Sequence, residues 1–363
     1  MKTQFQGKRV FLTGHTGFKG SWTSLWLSQM GAQVYGYALD PPTNHNNFTS
    51  SQVASRLAAD TRADLSDFDQ LQTAIDQARP DVILHMAAQP IVNTALADPR
   101  STYQTNVMGT VNLLEAVRVI GRPCHVIVIT SDKCYRDLGE NRPYKEDDPL
   151  GGNDPYSASK GATEVVAHSY RASYFPPASL QEHGISLATA RAGNVIGGGD
   201  WGACRIVPDL CAAFHRGDML QLRMPHAIRP WQHVLEPVSG YLHLAAEMIR
   251  RPSPRWCQAW NFGPEDESAV TVERLVREFS KAWNGGGWEN AIPDEPLRES
   301  VYLRLNNSKA KRELGWFPRW SLQETVERTV RWYKRFHLDP SQNMLASCLE
   351  DLEAYQETQG ILV

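Results

Sequence analysis

Long apolar runs and an excess of charge of one sign are both missing from this sequence. No stretch approaches the roughly 18 consecutive apolar residues that a membrane-spanning helix needs, which argues against a membrane protein. The first apolar run, residues 10–12, is too short for the core of a signal peptide, so we expect a cytoplasmic protein. Lys and Arg number 37 against 40 Asp and Glu, for a net charge of −3, so no bulk attraction draws the chain to nucleic acid or anionic lipid.

Short motifs for disulfides, metals and hydrolytic nucleophiles are missing as well. The six cysteines are scattered without a CxxC pair, a spacing that fits neither a disulfide framework nor a zinc site and predicts reduced thiols. The histidines form no HxxxH or His–carboxylate pattern, so we expect no metal. No GxSxG elbow is present, which leaves a serine hydrolase without support.

The first half of the sequence contains a regular alternation of short apolar runs and amphipathic stretches. Strands that alternate with helices predict βαβ units and a parallel sheet, and the nearly continuous Val and Ile runs predict a sheet covered on both faces. The predicted fold is therefore α/β, with a Rossmann-like doubly wound parallel sheet. Strands are expected at residues 9–13, 32–39, 81–88, 125–130 and 185–191, and helices at 21–30, 67–78, 102–120 and 156–174.

The composition of the sequence changes after Gly193, where Gly, Pro and Trp become frequent. We expect a smaller, loop-rich α/β domain there, with helices at residues 238–250, 272–283 and 322–336. Residues 260–263 are expected to form a strand that returns to the first sheet. The predicted division is a first domain of residues 1–192 with return segments near 232–263, and a second domain that is mainly residues 193–363.

A glycine-rich loop follows the first predicted strand and opens the first helix. Gly14, Gly17 and Gly20 form a GxxGxxG pattern, a close variant of the dinucleotide fingerprint. Glycines allow the tight turn and let backbone N–H groups approach a pyrophosphate, and the helix N-terminus adds partial positive charge. Because strand, loop and helix occur in the order that the fingerprint requires, the pattern predicts a dinucleotide site; the alternative is a structural turn.

Two carboxylates follow later predicted segments. Asp40 comes 20 residues after Gly20, where a carboxylate accepts hydrogen bonds from a ribose 2′-OH and repels a 2′-phosphate. Pro41 rather than Arg follows it, so NAD is favoured over NADP; the alternative for Asp40 is a loop-starting residue. Asp64 and Leu65 are candidates for holding the adenine edge.

Tyr156 and Lys160 stand four residues apart just after Pro155, so on a helix they share one face. A phenol with a pKa of about 10 becomes a base when a nearby ammonium stabilises the phenolate. The same lysine can hold a nicotinamide ribose. Behind a dinucleotide loop, this pairing predicts catalysis rather than a surface Tyr/Lys pair.

These motifs together resemble the short-chain dehydrogenase/reductase superfamily. The length and the loop-rich second half resemble its extended branch, which modifies nucleotide sugars. The resemblance covers nearly the whole chain and implies an NAD-binding domain followed by a substrate domain. It includes segment 85–89 (HMAAQ) and an asparagine in the next helix. The cofactor contacts that it implies are Gly14, Thr16, Gly17, Phe18, Gly20, Asp40, Asp64, Leu65, Ala87, Ala88, Asn106, Tyr156 and Lys160.

The segment that ends the strand at 125–130 distinguishes between the reactions of this branch. Simple epimerases and reductases have small hydroxyl residues here without a neighbouring acid, whereas nucleotide-hexose 4,6-dehydratases have a hydroxyl residue, Asp and then Glu. This chain has Ser131, Asp132 and Lys133. With lysine in place of Glu, the segment resembles the dehydratases that act on CDP-glucose rather than on dTDP-glucose. The resemblance implies a lyase that forms a 4-keto-6-deoxy sugar for lipopolysaccharide O-antigen or other surface-polysaccharide synthesis.

The same resemblance implies roles for the catalytic residues. Tyr156 takes the proton of the sugar 4-hydroxyl as hydride leaves C4 for NAD, Ser131 hydrogen-bonds the 4-oxygen, and the hydride later returns to C6. Asp132 is the expected acid for the 6-hydroxyl, which needs a raised pKa, and Lys133 is the candidate base at C5, which needs a lowered pKa. The alternatives are an Asx cap for Asp132 and a solvated or phosphate-binding Lys133.

A nucleotide sugar also needs contacts along its diphosphate and base. Arginine suits bidentate phosphate contact, with a surface ion pair as the alternative for each arginine. Tyr135 is expected either to position the sugar or to be an ordinary loop aromatic. The candidate substrate contacts are Gln89, Tyr135, Asn194, Arg205, Arg229, Arg298 and Tyr302.

Two other functions stay open at this point. A sugar-nucleotide 4-epimerase would release no water, and the pair Asp132–Lys133 argues against it. A non-catalytic NAD-sensing protein would keep the glycine loop but would not need Tyr156 and Lys160.

The helices at 102–120 and 156–174 carry apolar residues on more than one face. Leu114 and Val117 form part of one face, and Val165 and Tyr174 part of another. A helix that is apolar on two faces needs a partner beyond its own sheet, which predicts a homodimer or a homotetramer paired through these helices.

Overall fold

A parallel sheet of seven strands forms the centre of the protein in its computed structural model, which describes residues 1–202, 205–222, 224–265, 268–291 and 303–360. In chain order the strands are β1 (Arg9–Thr13), β2 (Gln33–Ala38), β3 (Ala59–Arg62), β4 (Val82–His85), β5 (Cys124–Ile129), β6 (Ile185–Ala192), β7 (Val195–Ile196), β8 (Met219–Leu222), β9 (Ile228–Pro230), β10 (Gln232–His233), β11 (Ala259–Phe262), β12 (Ala269–Thr271) and β13 (Gly287–Asn290). The central sheet runs β11-β6-β5-β4-β1-β2-β3. Within it, strands β1 to β6 have the order of doubly wound dinucleotide-binding folds, so the predicted fold is confirmed.

Helices cover both faces of this sheet. In chain order they are α1 (Lys2–Phe5), α2 (Phe18–Gln29), α3 (Asn47–Ser50), α4 (Phe68–Ala78), α5 (Val92–Ala97), α6 (Pro99–Tyr103), α7 (Gly109–Ile120), α8 (Pro155–Ser173), α9 (Leu180–His183), α10 (Ile206–Arg216), α11 (Leu235–Arg250), α12 (Val272–Trp283), α13 (Leu322–Leu338) and α14 (Leu345–Gly360). None of the helices within the described ranges is both long and apolar enough to span a bilayer.

Strand residues alternate between two apolar layers. Val126 and Val128 of β5 pack with α4 and α7, whereas Ile127 and Ile129 lie on the other face among residues of α2 and α11. This alternation is the two-residue period of a strand. It explains why the strand sequences are apolar without a break.

The predicted strands and most predicted helices end within three residues of the observed ones. The predicted return of residues 260–263 to the sheet is also correct, because β11 pairs with β6. The helix predicted at 102–120 differs: it consists of α6, a π-helical turn at Gln104–Met108, and α7. The sequence pattern did not predict β3, α10 or α14.

The second half of the chain builds short two-stranded sheets and the helices α10, α12 and α13 beside the carboxyl ends of the central strands. The helix α14 then returns to α2, where the rings of Trp26 and Tyr355 meet edge to face at 5.5 Å. The amide of Gln356 donates to Gln29 Oε1 at 2.7 Å in the same contact. The division of the chain near residue 192 stays a prediction.

Candidate active site

The strand order reverses between β1 and β4, and the loops that leave these two strands touch. In doubly wound sheets the crevice at this reversal is where ligands bind. The hydroxyl of Thr13 accepts hydrogen bonds from the backbone N–H groups of Met86 and Ala87, both at 3.1 Å. A Cβ on Gly14 would lie 2.7 Å from the Ala87 nitrogen, so only glycine fits at this junction.

The three glycines of the loop serve different purposes. Gly14 has a φ of +75°, in the left-handed region that glycine adopts readily. A side chain on Gly20 would overlap the carbonyl oxygen of Gly14. A Cβ on Gly17, in contrast, would meet only the Gly14 oxygen at 3.4 Å, an ordinary contact. The protein itself therefore does not require glycine at position 17, whereas a pyrophosphate approaching the backbone would.

Gly17 is also the N-cap residue of α2, and no side chain caps that helix end. Its first N–H groups are therefore available to an anion, which the helix dipole favours. Phe18 follows in the first turn of the helix, and the Thr16 hydroxyl donates to Leu39 O at 2.9 Å, which ties the loop to the end of β2. This loop fits the pyrophosphate of a dinucleotide.

The residues predicted for the adenosine half lie at the carboxyl ends of β2 and β3. Asp40 is highly exposed, and the Asp64 carboxylate accepts from Ser66 N at 2.7 Å. Leu65 is buried instead, with Gly109 packed against its side chain. Any adenine contact from Leu65 would therefore come from its backbone or an edge of its side chain.

Sequence reasoning missed Arg62, a cation beside Asp40. Its guanidinium lies 3.3 Å from Asp40 Oδ1 and binds Asp60 with two nitrogens at 2.8 and 2.9 Å. No arginine directly follows Asp40 in the sequence, which favours NAD, but Arg62 reaches Asp40 from β3 instead. Its charge is already matched by Asp60, so Asp40 keeps the ability to accept from a ribose.

The loop after β4 is fastened to α8 by one asparagine. Asn106 lies in the π-helical turn, accepts from Gln89 N at 2.8 Å, and donates to Gln89 O at 3.1 Å and to Ser159 Oγ at 2.8 Å. It holds this loop, which contains Ala87 and Ala88, in place. The structure thus gives Asn106 partners within the protein, where the resemblance implied a cofactor contact.

Gln89, predicted to contact substrate, uses its amide inside its own loop. Its Nε2 donates to Ile91 O at 3.1 Å and to Thr102 Oγ1 at 3.0 Å, and its Oε1 accepts from Ile91 N at 2.5 Å. Both ends of the amide are engaged. The predicted substrate contact is therefore not supported.

A short turn at residues 131–134, referred to here as the 131–134 turn, follows β5 at the carboxyl edge of the sheet. The Ser131 hydroxyl accepts from Lys133 N at 3.2 Å and donates to Asp132 Oδ1 at 2.9 Å. Ser131, and not Asp132, caps the turn, so the alternative of an Asx cap at Asp132 is wrong. The Asp132 carboxyl is buried, and its Oδ2 has no hydrogen-bond partner among the described residues.

Burial raises the pKa of Asp132, against the opposing charge of Lys133 and the hydrogen bond from Ser131. A carboxyl group with a raised pKa keeps its proton to higher pH, which suits a general acid. Gly193 lies directly against it: a Cβ at this position would be 2.8 Å from Asp132 Oδ2. Asn194, a predicted substrate contact, is the next residue along the chain and is partly buried.

Tyr156 and Lys160 lie in the first turns of α8, facing this turn. Asp154 caps the helix by accepting from Ser157 N at 3.0 Å, and Pro155 occupies its first position. Burial raises the pKa of Tyr156 to about 12, partly offset by a hydrogen bond with Ser131 and the charge of Arg205. Its phenol thus depends on nearby cations to act as a base.

Two lysines add positive charge to the site: Lys160 of α8 and Lys19 of α2, the second of which sequence reasoning missed. Burial, then the charge of Lys19, lowers the pKa of Lys160 to about 8. Burial, then the charge of Arg205, lowers the pKa of Lys19 to about 8. Lys19 stands within the glycine loop motif, where a lysine looks like any solvated side chain.

The arginines predicted to hold phosphate reach the same crevice. Arg205 directly precedes α10 and pairs with Asp200 at 2.8 Å, and it lies close enough to Tyr156 to influence the pKa of that phenol. Arg229 of β9 is buried and its charge acts on Asp132. Arg298 and Tyr302 lie outside the described residues.

Tyr135 does not face the crevice, so its prediction as a sugar contact is wrong. Its ring is buried and stacks on Tyr144 with centroids 4.9 Å apart. Its hydroxyl donates to Asn261 Oδ1 at 2.8 Å and accepts from Arg191 at 2.7 Å. Lys133, two residues earlier, remains partly exposed beside the crevice.

A glycine cradle at the switch point, facing a Tyr–Lys pair and a buried acid, defines a dinucleotide-dependent short-chain dehydrogenase/reductase. Residues 11–251 match the family model for GDP-mannose 4,6 dehydratase. The chain belongs to this family. Within the described ranges, His, Cys, Asp and Glu residues form no group of three or more that would suit a metal ion.

The chain is also similar to individual dehydratases. The chain is 48% identical to the CDP-glucose 4,6-dehydratase of Salmonella typhimurium over 334 residues, 92% of each chain. It is 24% identical to a dTDP-glucose 4,6-dehydratase of Xanthomonas campestris pv. campestris, over 89% of this chain and 92% of that one. Among solved structures, the dTDP-glucose 4,6-dehydratase of Streptomyces venezuelae with NAD bound superimposes with a TM-score of 0.75 at 23% identity, over 92% of this chain and 100% of that one. This likeness shows the shared fold.

Proposed function

We propose that this protein is an NAD-dependent lyase that converts CDP-glucose into CDP-4-keto-6-deoxyglucose and water. The observation that carries the proposal is the buried Asp132 carboxyl, with one oxygen left free beside Ser131 and Tyr156. An oxidation at C4 needs only the Tyr–Lys pair, whereas loss of a hydroxyl needs an acid next to it. The identity to the Salmonella enzyme supports CDP-glucose as the substrate.

Oxidation at C4 is the work of Tyr156. Its phenolate, stabilised by Lys160 and further cations, accepts the proton of the 4-hydroxyl, and the Ser131 hydroxyl hydrogen-bonds the 4-oxygen. NAD, when bound, accepts hydride from C4 and returns it to C6, so the reaction needs no second redox substrate. The loop at Gly14–Gly20 and Asp40 would hold this cofactor.

Elimination follows because the 4-ketone acidifies the C5 proton. Lys133 takes that proton, and Asp132 gives one to the departing 6-hydroxyl, which leaves as water. Lys133 later returns its proton to C5. The proton that Tyr156 gains equals the one that Asp132 loses, and Ser131, hydrogen-bonded to both, lies on the route that restores them.

Arg205, Arg229 and Arg298 are proposed to bind the diphosphate, with Asn194 and Tyr302 as further substrate contacts. Cations at Lys19, Lys133 and Lys160 add to a site in which positive groups outnumber the carboxylates of Asp132 and Asp200. Such a site favours a ligand with two phosphate charges.

The test is incubation with CDP-, dTDP-, UDP- and GDP-glucose. We expect CDP-glucose to give a product lighter by one water, with the alkaline absorbance of a 4-keto sugar. A product of unchanged mass with an inverted C4 would identify a 4-epimerase instead. Bound NAD without conversion of any of the four sugars would favour a cofactor-sensing protein.

We further propose a cytoplasmic homodimer or homotetramer that serves surface-polysaccharide synthesis. Three apolar residues are about half exposed: Val119 of α7 at 50%, Val165 of α8 at 57%, and Tyr174, directly after α8, at 51%. Leu114 and Val117, on another face of α7, are buried in the protein's own core. The exposed residues support pairing through α7 and α8.

A further inference from the structure

Two residues that flank the 131–134 turn, Thr130 and Tyr135, are tied to a single buried ion pair. Glu164 of α8 and Arg191 of β6 form this pair, with Nε–Oε1 and NH2–Oε2 distances of 2.9 and 2.8 Å. Their side chains are only 3% and 4% exposed. Neither residue touches the crevice where the substrate is proposed to bind, so the mechanism does not use them directly.

The pair holds the turn at both ends. Before the turn, Thr130 donates to Glu164 Oε1 at 2.5 Å. After the turn, the Tyr135 hydroxyl accepts from Arg191 NH1 at 2.7 Å and donates to Asn261 Oδ1 of β11 at 2.8 Å. Three neighbouring elements of the fold, α8, β6 and β11, thus fix the position of one four-residue turn.

Close backbone packing holds the turn from the side. A Cβ on Gly161 of α8 would lie 3.2 Å from Cys134 O and 3.1 Å from Gly151 N, so the helix rests on the turn without an intervening side chain. Gly161 directly follows Lys160, and Glu164 is one helical turn beyond it. The helix that carries Tyr156 and Lys160 therefore packs directly against the turn that carries the predicted acid and base.

Such a network is costly unless every member is satisfied, because burial removes both charges from water. Here both Glu164 oxygens accept two hydrogen bonds, the fourth from Thr189 at 2.7 Å. Burial opposes ionisation of Glu164, but the charge of Arg191 and these hydrogen bonds prevail and lower its pKa. A satisfied buried network rigidifies the elements that it joins.

We propose that Glu164, Arg191 and Tyr135 are positioning residues that set the distance between the two halves of the active site, the Tyr156–Lys160 pair on α8 and the acid and base of the 131–134 turn. This inference rests on the proposed function. Tyr156 and Lys160 lie on α8 itself, and the turn contributes only Ser131 to the oxidation step, so loosening the turn slows oxidation less than elimination. The elimination step, which needs Asp132 and Lys133 in place, slows.

The test is Tyr135→Phe, which removes one buried hydroxyl and keeps the ring. We expect turnover of CDP-glucose to fall about tenfold or more, since small displacements of reacting groups have effects of that order. The Michaelis constant should stay close to that of the wild type. In single turnovers, NADH formation should slow less than overall turnover, and NADH absorbance should then persist longer than in the wild type, because reduction at C6 waits for elimination.

The matched control is Tyr144→Phe, which removes the hydroxyl of the ring stacked on Tyr135; that hydroxyl accepts only from Leu138 N, at 3.3 Å, among the contacts of the described residues. It should lower the melting temperature comparably but keep turnover and the NADH transient normal. Arg191→Lys, which keeps the charge but loses the forked contacts, should reproduce the persistent NADH signal if it folds.

A Tyr135→Phe protein that melts at the same temperature as Tyr144→Phe, yet keeps wild-type turnover and a wild-type NADH transient, would overturn the inference alone. A wild type that converts none of the four nucleotide sugars would overturn the proposed function, and the inference with it. The two failures are distinguished by the wild-type reaction run alongside.

Discussion

Asp132 is a buried carboxyl group with an unpaired oxygen, and this is what separates elimination from oxidation. In Asp132→Asn, the 6-hydroxyl loses its proton donor, whereas Tyr156 can still take the 4-hydroxyl proton. We therefore expect a single turnover to produce NADH without release of water. Tyr156→Phe should instead form neither NADH nor product, because the 4-hydroxyl proton has no acceptor, while CDP binding stays nearly unchanged. NADH absorbance and product mass measure both, and rapid water loss by Asp132→Asn would contradict the assignment.

Lys133 is tested by the fate of the C5 proton. If Lys133 is the base, Lys133→Met should block entry of solvent deuterium at C5 while C4 oxidation continues, because the proton has no acceptor. Mass spectrometry of product formed in D₂O measures the incorporation. A raised Michaelis constant with preserved turnover and normal deuterium entry would show instead that Lys133 binds phosphate.

Lys19 should influence the pH profile through Asp132. The charge of Lys19 is among those that lower the pKa of Asp132 against the effect of burial. Lys19→Met removes this cation, so the pKa of Asp132 rises further. Because the acid works in its protonated form, activity is lost as pH rises through that pKa, and the alkaline limb of kcat should move to higher pH.

The control for this prediction is Lys8→Met, at the opposite edge of the sheet, where Lys8 pairs with Asp81 at 3.0 Å. Its alkaline limb should coincide with that of the wild type. An alkaline limb for Lys19→Met that stays in place or moves to lower pH would refute the electrostatic link.

At the residue scale, sequence reasoning found the members of motifs and missed those that tertiary structure brings in. Tyr156, Lys160 and Asp132 were identified from local patterns. Tyr135 was misplaced because closeness in sequence to Asp132 does not reveal that the 131–134 turn directs the next side chain into the core. Lys19 was missed because its surroundings come from distant segments.

At the scale of elements, the N-terminus of α8 determines where Tyr156 stands. Asp154→Ala removes the cap contacts to Ser157, which should cost about 1 kcal/mol of stability and loosen the turn that carries Tyr156. The control is Asp67→Ala, because Asp67 caps α4 by accepting from Gln70 N at 3.0 Å and α4 carries no predicted site residue. Both variants should lose similar stability by denaturant unfolding, and only Asp154→Ala should lose turnover. Equal turnover in the two would contradict this.

The positions of the strands were more predictable from the sequence than the hydrogen bonding within helices or the packing of distant helices. Apolar periodicity located β1, β5 and β6 because buried parallel strands must be apolar on both faces. The π-helical turn between α6 and α7 could not be foreseen, because it changes hydrogen bonding without changing the apolar pattern. The return of α14 to α2 depends on tertiary packing alone.

For the whole molecule, the exposed apolar residues on α7 and α8 predict self-association. Val165→Glu places a charge in the proposed interface, so light scattering should report a mass reduced to that of the monomer. Leu338→Glu changes an apolar residue of α13 that is 87% exposed and should leave the mass unchanged. A Val165→Glu protein with the wild-type mass would argue against pairing through these helices.

Because of the π-helical turn at Gln104–Met108, the number of residues between α6 and α7 determines how these two helices are rotated relative to each other. It holds one residue more than an α-helical turn would, and each residue in a helix adds a rotation of about 100°. Deleting one residue here would leave a plausible continuous helix, yet would rotate Asn106 away from Gln89 and Ser159 and turn the outer surface of α6 relative to that of α7. Substitutions within this stretch change one contact at a time. A change of one residue in its length would shift the loop after β4 and the proposed interface together.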